Sequence, residues 1–344
     1  MEKQEWFVPA YYPDFQCKAD KCCHTCCSRW RIPVSKEEYN RLVTLDCSEE
    51  LDRRILNAFV TPDIVTDDCY RYIAFNWLGE CPILDSGLCS LHREMGEKVL
   101  PKVCRLYPRS LKKAGPFNVA SCSSSCERVV EILFESDALN IVKVISDQRP
   151  EIIYPISEEN GKRIAAFQEI IKDRSISLAE SIARICRIIN AEEFDRDLSC
   201  GKDPLAEAIL VLERLPFSND ILLEAFQLMQ QRYGEDRDLF DRDRGSFEVA
   251  YPDWMSFFER VINNSMIYEC FPFLDKRLDL TDSYKGLCVS YGLLRALCIA
   301  WHTGHQKKED LIDVVAALFH LIDHTPFYYN TARIAGHPAL MLKI

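Results

Sequence analysis

The spacing of the cysteines is the feature that most constrains this chain. Residues 17–27 hold five cysteines within eleven positions, and 12 of the 17 cysteines lie in the first 126 residues. The chain begins Met1-Glu2-Lys3-Gln4-Glu5-Trp6, without the basic and apolar segments of a secretory signal, so we expect a cytoplasmic protein. Because the cytosol keeps thiols reduced, metal binding explains the cysteines more economically than disulfides do.

The adjacent cysteines narrow the kind of metal site. A Cys-Cys pair limits how both sulfurs can reach one ion, so Cys26-Cys27 suits a multi-iron cluster, or two neighbouring sites, better than one tetrahedral zinc. Reduced core thiols or a redox disulfide system are the alternative for the whole group. The predicted metal ligands are Cys17, Cys22, Cys26, Cys27, Cys81, Cys89, Cys104, Cys122 and Cys126.

The change in cysteine content near residue 130 predicts two domains. Residues 1–130 combine cysteines, prolines and short apolar runs and are predicted to form a loop-rich metal-binding module, whose folding energy a metal would supplement. Within it, Ser35 and Glu38 fit a capping box that starts a helix, and residues 71–75 fit a short strand. Residues 131–344 are predicted to form a helical domain.

The predicted fold class is mainly α, with the cysteine-rich module packed on an all-helical C-terminal body. The long amphipathic segments that support it are 128–146, 161–172, 178–190, 204–212, 220–232, 254–270, 286–302 and 310–324. Residues 234–248 carry six acidic and three basic side chains, so we expect an exposed loop there.

Charge and hydropathy argue against nucleic acid and membranes as partners. The net charge is −11, which disfavours a general role in binding nucleic acid. The longest apolar runs fall short of the roughly 18 residues that a membrane span needs, so we expect no membrane partner.

Several separated motifs of the first 130 residues resemble the flagellin lysine-N-methylase family, within the broader group of zinc- or iron-chelating cysteine-cluster proteins. The family's aromatic-x-Cys opening, with later cysteines and a Trp, is similar to Phe15, Cys17, Cys22, Cys26-Cys27 and Trp30. Its later blocks resemble Cys81-Pro82-Ile83-Leu84 with Cys89, and Cys104-Arg105-Leu106-Tyr107-Pro108-Arg109. Cys23 is an additional cysteine, and Ser125-Cys126-Glu127 lacks a proline that the family carries after its last cysteine.

The resemblance implies an enzyme with a 4Fe-4S cluster, S-adenosylmethionine as methyl donor and lysines of flagellin as acceptors. The residues alone show neither a glycine-rich Rossmann turn nor a strict radical-type Cys-x3-Cys-x2-Cys motif, because Arg29 stands at the third position. A non-enzymatic protein that binds zinc or an iron-sulfur cluster for structure, sensing or metal handling is the alternative function.

Two groups of polar residues are candidates for the chemistry. Arg105 and Arg109 follow Cys104 and could donate hydrogen bonds to cluster sulfur or bind a cofactor carboxylate, with a solvated basic face as the alternative. Methyl transfer requires the neutral amine of lysine, and Tyr328-Tyr329 with Asp323 and His324 could line a pocket that provides it. Packing of these residues in a helical core is the alternative.

Overall fold

A computed structural model of the chain describes residues 3–22, 26, 32–76, 79–154, 156–216, 219–234, 236–273 and 278–344. The chain divides into a larger unit, Met1–Phe15 with Arg109–Ile344, and a smaller unit, Gln16–Pro108. Residues 1–15 and 109–130, which were predicted as part of the cysteine-rich module, therefore belong to the larger unit.

The strands are short and lie mostly in the first half of the chain. They are β1 (Gln4–Pro9), β2 (Ile32–Val34), β3 (Phe59–Val60), β4 (Arg71–Ile73), β5 (Leu84–Asp85), β6 (Leu88–Cys89), β7 (Arg109–Ala114), β8 (Phe117–Cys122), β9 (Ile141–Ser146) and β10 (Ile152–Tyr154).

The longest helices lie in the second half of the chain. The first are α1 (Lys36–Val43), α2 (Glu49–Leu56), α3 (Ser90–Met95), α4 (Lys102–Leu106), α5 (Glu127–Glu135), α6 (Glu158–Ile171) and α7 (Leu178–Leu198). They are followed by α8 (Pro204–Arg214), α9 (Asp220–Tyr233), α10 (Arg237–Ala250), α11 (Trp254–Glu269), α12 (Leu280–His302), α13 (Lys308–His324) and α14 (Phe327–Ile334).

A five-stranded sheet in the larger unit has the order β10-β7-β8-β1-β9. β7 and β8 are antiparallel neighbours, and β1 runs parallel to β8 and antiparallel to β9. This pairing explains why residues 1–15 and 109–130 belong with the C-terminal part, because backbone hydrogen bonds join them to β9 and β10.

The prediction of an all-helical body from residue 131 is wrong for its first part. The predicted helix over 128–146 is α5 followed by β9, since the helix ends at Glu135 and a new element begins at Ile141. The segment Ile-Val-Lys-Val-Ile is rich in β-branched residues, which favour strands. From residue 156 onward, the described elements are helical, as predicted.

The predicted loop over residues 234–248 is also wrong, because α10 covers most of it. Phe240 and Phe247 lie two turns apart and are both buried, so they give the helix an apolar face. The charged residues form ion pairs on the other faces, such as Arg244 with Asp241 at 2.8 Å. The charge pattern favoured a loop, but the buried rings of Phe240 and Phe247 form the inner face of a helix.

Helix α12 forms the centre of the helical part. Nearly every residue from Ser283 to His302 is buried, and α7, α9, α13 and α14 pack around it. A helix that is apolar on all sides requires such a position. The predicted helix over 178–190 forms the first part of α7, which Asn190 interrupts with φ −157° and ψ 82°.

The smaller unit has an apolar core built from short elements. β2, β4 and β3 form one sheet in that order, and β5 pairs with β6. Ser35 caps α1 through the predicted capping box with Glu38, and the predicted strand over 71–75 is present as β4. Within the described residues of the whole chain, no helix is long and apolar enough to cross a membrane.

Candidate functional site

A serine-rich turn joins β8 to α5 inside the larger unit. Residues 121–126 read Ser-Cys-Ser-Ser-Ser-Cys, and we call them the serine–cysteine turn. Ser121, Ser123 and Ser124 are almost completely buried. Because a buried hydroxyl without a hydrogen bond is costly, these serines need partners inside the protein. Two helices, α11 and α13, supply most of them.

Asn264 of α11 holds the serine–cysteine turn in place. Its Nδ2 donates hydrogen bonds to the carbonyl of Cys122 at 2.9 Å and to Ser124 Oγ at 3.0 Å. Its Oδ1 accepts hydrogen bonds from Ser121 Oγ at 2.9 Å and from the Tyr11 hydroxyl at 2.6 Å. The fully buried amide therefore uses both donors and both acceptor positions, which fixes the shape of the turn.

The end of α13 contacts the same turn through Asp323 and His324. Ser123 Oγ donates a hydrogen bond to Asp323 Oδ2, and Ser125 Oγ lies 2.8 Å from His324 Nε2. The other carboxylate oxygen, Asp323 Oδ1, is buried and has no hydrogen-bond partner among the described residues. A buried carboxylate oxygen in this state is a ready acceptor for a proton or a hydrogen bond.

Burial gives Asp323 and His324 different protonation behaviour. Burial and then the nearby Glu269 raise the pKa of Asp323 well above its usual value, which makes its carboxylate a better base. Burial and then His320 lower the pKa of His324 to about 3, so its imidazole is neutral at physiological pH. Between these two residues, Asp323 is the better proton acceptor.

A buried lysine lies close to this carboxylate. Lys112 of β7 is 4% exposed, and its Nζ donates a hydrogen bond to the carbonyl of Tyr268 and lies 3.7 Å from Glu269 Oε2. Burial acts to lower the pKa of Lys112, but Glu269 and other neighbours raise it overall, so the amine is an ammonium. The Nζ atom also lies 4.6 Å from the centre of the Tyr268 ring, within cation–π range. The site thus stabilises an alkylammonium ion.

Tyr328 of α14 completes the buried group. Its hydroxyl interacts with Ser290 and Ser265, and burial followed by the charges of Glu269 and Asp323 raises its pKa. A Cβ atom at Gly286 would overlap the Tyr328 ring, so α12 needs glycine at this point of close approach. The structure therefore brings Asp323, His324 and Tyr328 into one region, as the pocket hypothesis requires.

Two of the predicted metal ligands, Cys122 and Cys126, lie in the larger unit and are buried. Arg109 pairs directly across the β7/β8 ladder with Cys122 and donates a hydrogen bond to the carbonyl of Phe15 at 2.9 Å. Burial raises the pKa of the Cys122 thiol, and the charge of Arg109 partly opposes that effect. Arg109, a predicted donor to cluster sulfur, therefore lies beside Cys122, a predicted metal ligand.

The remaining predicted ligands belong to the smaller unit. Cys81 is buried in its apolar core, with half-buried Cys89 and Cys104 packed against the same core. Cys17 and Cys26 are exposed, Cys22 is half-buried, and Arg105 of α4 is exposed. Cys27 lies outside the described residues.

The described side chains do not by themselves form a metal site. In the ranges that the structure describes, no three His, Cys, Asp or Glu side chains come together in a way that could hold a metal ion. A 4Fe-4S cluster is usually held by four thiolates. The described thiols do not fit such a cluster by themselves, and Cys23 and Cys27 of the densest cysteine run are not among them.

A cavity of about 120 Å³ opens between the sheet and α6 and α11. Its walls are mostly apolar, with Phe7, Phe117, Ile164, Met266 and Cys270 among the lining residues. Pockets for cofactor-sized ligands usually measure about 300–1,000 Å³ and carry several polar groups. This cavity therefore does not fit S-adenosylmethionine.

Comparison with known families identifies the helical part. A family model described as the FliB lysine N-methylase C-terminal domain matches residues 202–333. This part of the chain is therefore similar to the C-terminal domain of the FliB lysine N-methylases. No curated protein and no solved structure matches the chain. The matched residues run from α8 into α14 and include Asn264, Glu269, Asp323 and Tyr328.

Several residues of the site were missed by sequence reasoning. Ser123, Asn264, Lys112 and Glu269 were not singled out, although two signals were present in the sequence. One is the run of serines between Cys122 and Cys126, and the other is the polar triplet Asn-Asn-Ser at 263–265 inside an apolar helix. Polar residues at positions where the helical period predicts burial indicate a buried network.

Proposed function

We propose that this chain is an iron-sulfur-dependent protein lysine N-methyltransferase that uses S-adenosylmethionine and acts on flagellin in the cytoplasm. The observation that carries the proposal is the buried, unpartnered carboxylate oxygen of Asp323, which lies within the segment matched by the lysine N-methylase domain. The cofactors and the substrate follow from the family resemblance of the cysteine motifs.

Asp323 performs the step that methylation of a lysine cannot omit. A lysine ammonium has no lone pair, so its proton must leave before the nitrogen can attack a methyl carbon. The Asp323 carboxylate accepts this proton at Oδ1, while Ser123 keeps Oδ2 hydrogen-bonded. The raised pKa of Asp323 brings its basicity closer to that of the amine and favours the transfer.

The surroundings of Asp323 select for an aliphatic ammonium. Glu269 and the Tyr268 ring already hold the ammonium of Lys112, which shows that this set of groups stabilises such an ion. Glu269 lies 3.7 Å from the Lys112 ammonium, whereas Asp323 Oδ1 has no hydrogen-bond partner among the described residues and can bind a substrate lysine. Bound S-adenosylmethionine supplies the methyl group.

The decisive experiment is methyl transfer with protein purified without oxygen. Flagellin, S-adenosylmethionine and the full chain are incubated together, and flagellin peptides are analysed by mass spectrometry. We expect methyl groups on lysine side chains and none in reactions that lack S-adenosylmethionine. Unmodified flagellin with a correctly folded, metal-loaded chain would reject the proposal.

The metal centre is tested on the same preparation by measuring iron, zinc and acid-labile sulfide and by recording a visible spectrum. Matched iron and sulfide are expected for a 4Fe-4S cluster. Cys126→Ala should lower the iron content, whereas Cys298→Ala, which removes a buried thiol of α12, should not. Stoichiometric zinc without sulfide, together with no methyl transfer, would favour the alternative of a non-enzymatic metal-binding protein.

A further inference from the structure

Four large apolar side chains stand exposed on one short stretch of the smaller unit. Leu56, Val60, Ile64 and Val65 are 57%, 47%, 79% and 48% exposed, and they lie between the end of α2 and β4. Single exposed apolar residues are ordinary, whereas clustered ones mark interaction sites, and these four lie within ten positions of the chain. We call residues 56–68 the apolar edge.

The apolar edge borders a cavity and a free strand edge. A cavity of about 310 Å³ is lined by residues of β3, β4 and their flanks, including Val60, Asp63, Tyr72 and Phe75. In its sheet β3 pairs only with β4, so its outer side offers backbone groups that no strand of the sheet uses. An extended segment can add to such an edge and place alternate side chains in an adjacent cavity.

The charge of the apolar edge is entirely acidic. Residues 56–70 contain Asp63, Asp67 and Asp68 and no lysine or arginine. Asp67 lies 4.0 Å from Lys36, whereas Asp63 and Asp68 make no ion pair with the described residues. Asp63 is exposed and also lines the cavity together with Val60, so a carboxylate and an aliphatic side chain stand at the same recess. A partner that carries positive charge and aliphatic side chains is complementary to this surface.

We infer that the apolar edge binds an extended, lysine-bearing polypeptide segment of the protein substrate. An aliphatic side chain of the segment enters the cavity beside Val60, Ile64 covers the neighbouring aliphatic surface, and a lysine ammonium pairs with Asp63. The inference rests on the proposed function, because that function requires a protein substrate that presents lysines. It adds a docking surface that is distinct from the residues of the candidate site.

The test measures binding by fluorescence anisotropy with the full chain. The probe is a short fluorescein-labelled peptide in which valine and lysine alternate, and the controls replace lysine by glutamate or valine by serine. We expect binding of the first peptide only. The double variant Asp63→Asn, Ile64→Ser should weaken it about tenfold or more, because an ion pair and a buried aliphatic contact are lost together.

Ile145→Ser serves as the matched control, since Ile145 is 61% exposed but lies on β9 of the larger unit. Equal binding by the double variant and the wild-type chain would overturn the inference. The inference would also be overturned if the wild-type chain bound no peptide but self-associated, and the double variant did not self-associate. The apolar edge would then be a contact between copies of this chain.

Methylation kinetics separate this inference from the proposed function. If both are correct, the double variant raises KM for flagellin and leaves kcat unchanged. Peptide binding without any methyl transfer would support the docking surface and reject the enzyme, whereas methyl transfer with an unchanged KM would support the enzyme and reject the docking surface.

Discussion

The two units of the chain treat polar side chains in opposite ways. In the larger unit, Ser123 and Asn264 are completely buried. Ser123 donates a hydrogen bond to Asp323, and Asn264 donates one to the carbonyl of Cys122. In the smaller unit the core is apolar, with Val34 and Ile55 fully buried, and hydrogen-bonded pairs such as Ser48 with Glu94 lie at the surface.

Under the proposed function, this difference corresponds to two tasks that a protein methyltransferase must perform. Removing a proton from lysine benefits from a desolvated carboxylate, which only a buried polar network can hold. Recognition of a protein segment needs exposed groups, such as those of the apolar edge. If the division is correct, changes in the larger unit should affect chemistry and stability strongly, and comparable changes in the smaller unit should affect them weakly.

The largest effect is expected for Asp323→Asn. The amide is similar in size but is not a base, so kcat for methylation should fall by about 100-fold or more, within the range usual for loss of a general base. Methylation is measured with flagellin at saturating concentration. Asp313→Asn, a change at a half-buried aspartate of the same helix, is the control and should retain activity. Equal loss in both variants would indicate damage to α13.

Two neighbouring asparagines offer a direct test of the buried network. Asn264→Ala removes four hydrogen bonds and leaves several buried groups unsatisfied, so the free energy of unfolding should fall by about 3 kcal/mol. Asn263 is equally buried, but its amide has no partner among the described residues, so Asn263→Ala should cost less than about 1 kcal/mol. Both values come from urea denaturation, and a reversed order would refute the network.

The pH dependence of stability should follow His324. Its pKa is about 3 in the folded chain and about 6.5 when unfolded, so below pH 6.5 the unfolded state binds the additional proton. Stability contributed by the neutral form is therefore lost as pH falls, by about 2 kcal/mol between pH 6.5 and 5. Urea denaturation across this range should show a smaller decrease for His324→Gln than for the wild-type chain. An equal decrease in stability for the wild-type chain and His324→Gln would mean that another group causes the pH dependence.

The smallest effect is expected in the smaller unit for Ser35→Ala. Ser35 caps α1 by accepting a hydrogen bond from the backbone amide of Glu38 at 3.2 Å, and loss of such a cap usually costs about 1 kcal/mol. Thermal unfolding should therefore shift slightly, with methylation unchanged. A loss of activity comparable to that of Asp323→Asn would remove the distinction between the two units.

Local patterns predicted much of this fold. The capping box at Ser35 and the helices from residue 156 onward depend on residues close in sequence, so their signals could be read directly. The two errors arose where one local signal hid another. The many charged residues of 234–248 favoured a loop, although one face of α10 is buried. The apolar residues of α5 and β9 were interpreted as a single helix.

The candidate site was predictable only in part. Asp323, His324 and Tyr328 were considered because their residue types suit proton transfer, but nothing local showed that they approach one another. Asn264 and Lys112 were missed because their importance depends on contacts with residues more than 100 positions away. The family match lies in the helices, whereas the motifs that suggested the family lie before residue 130.

The sequence by itself determined the helical character of the C-terminal part and the concentration of cysteines near the N-terminus, and its motifs suggested a family. The tertiary structure decided which residues share an environment. It paired β1 with β9 across the chain and brought the serine–cysteine turn to Asn264 and Asp323. The physical reason is that helix signals act over a few residues, whereas strand pairing and the burial of polar groups join distant segments whose partners no local pattern specifies.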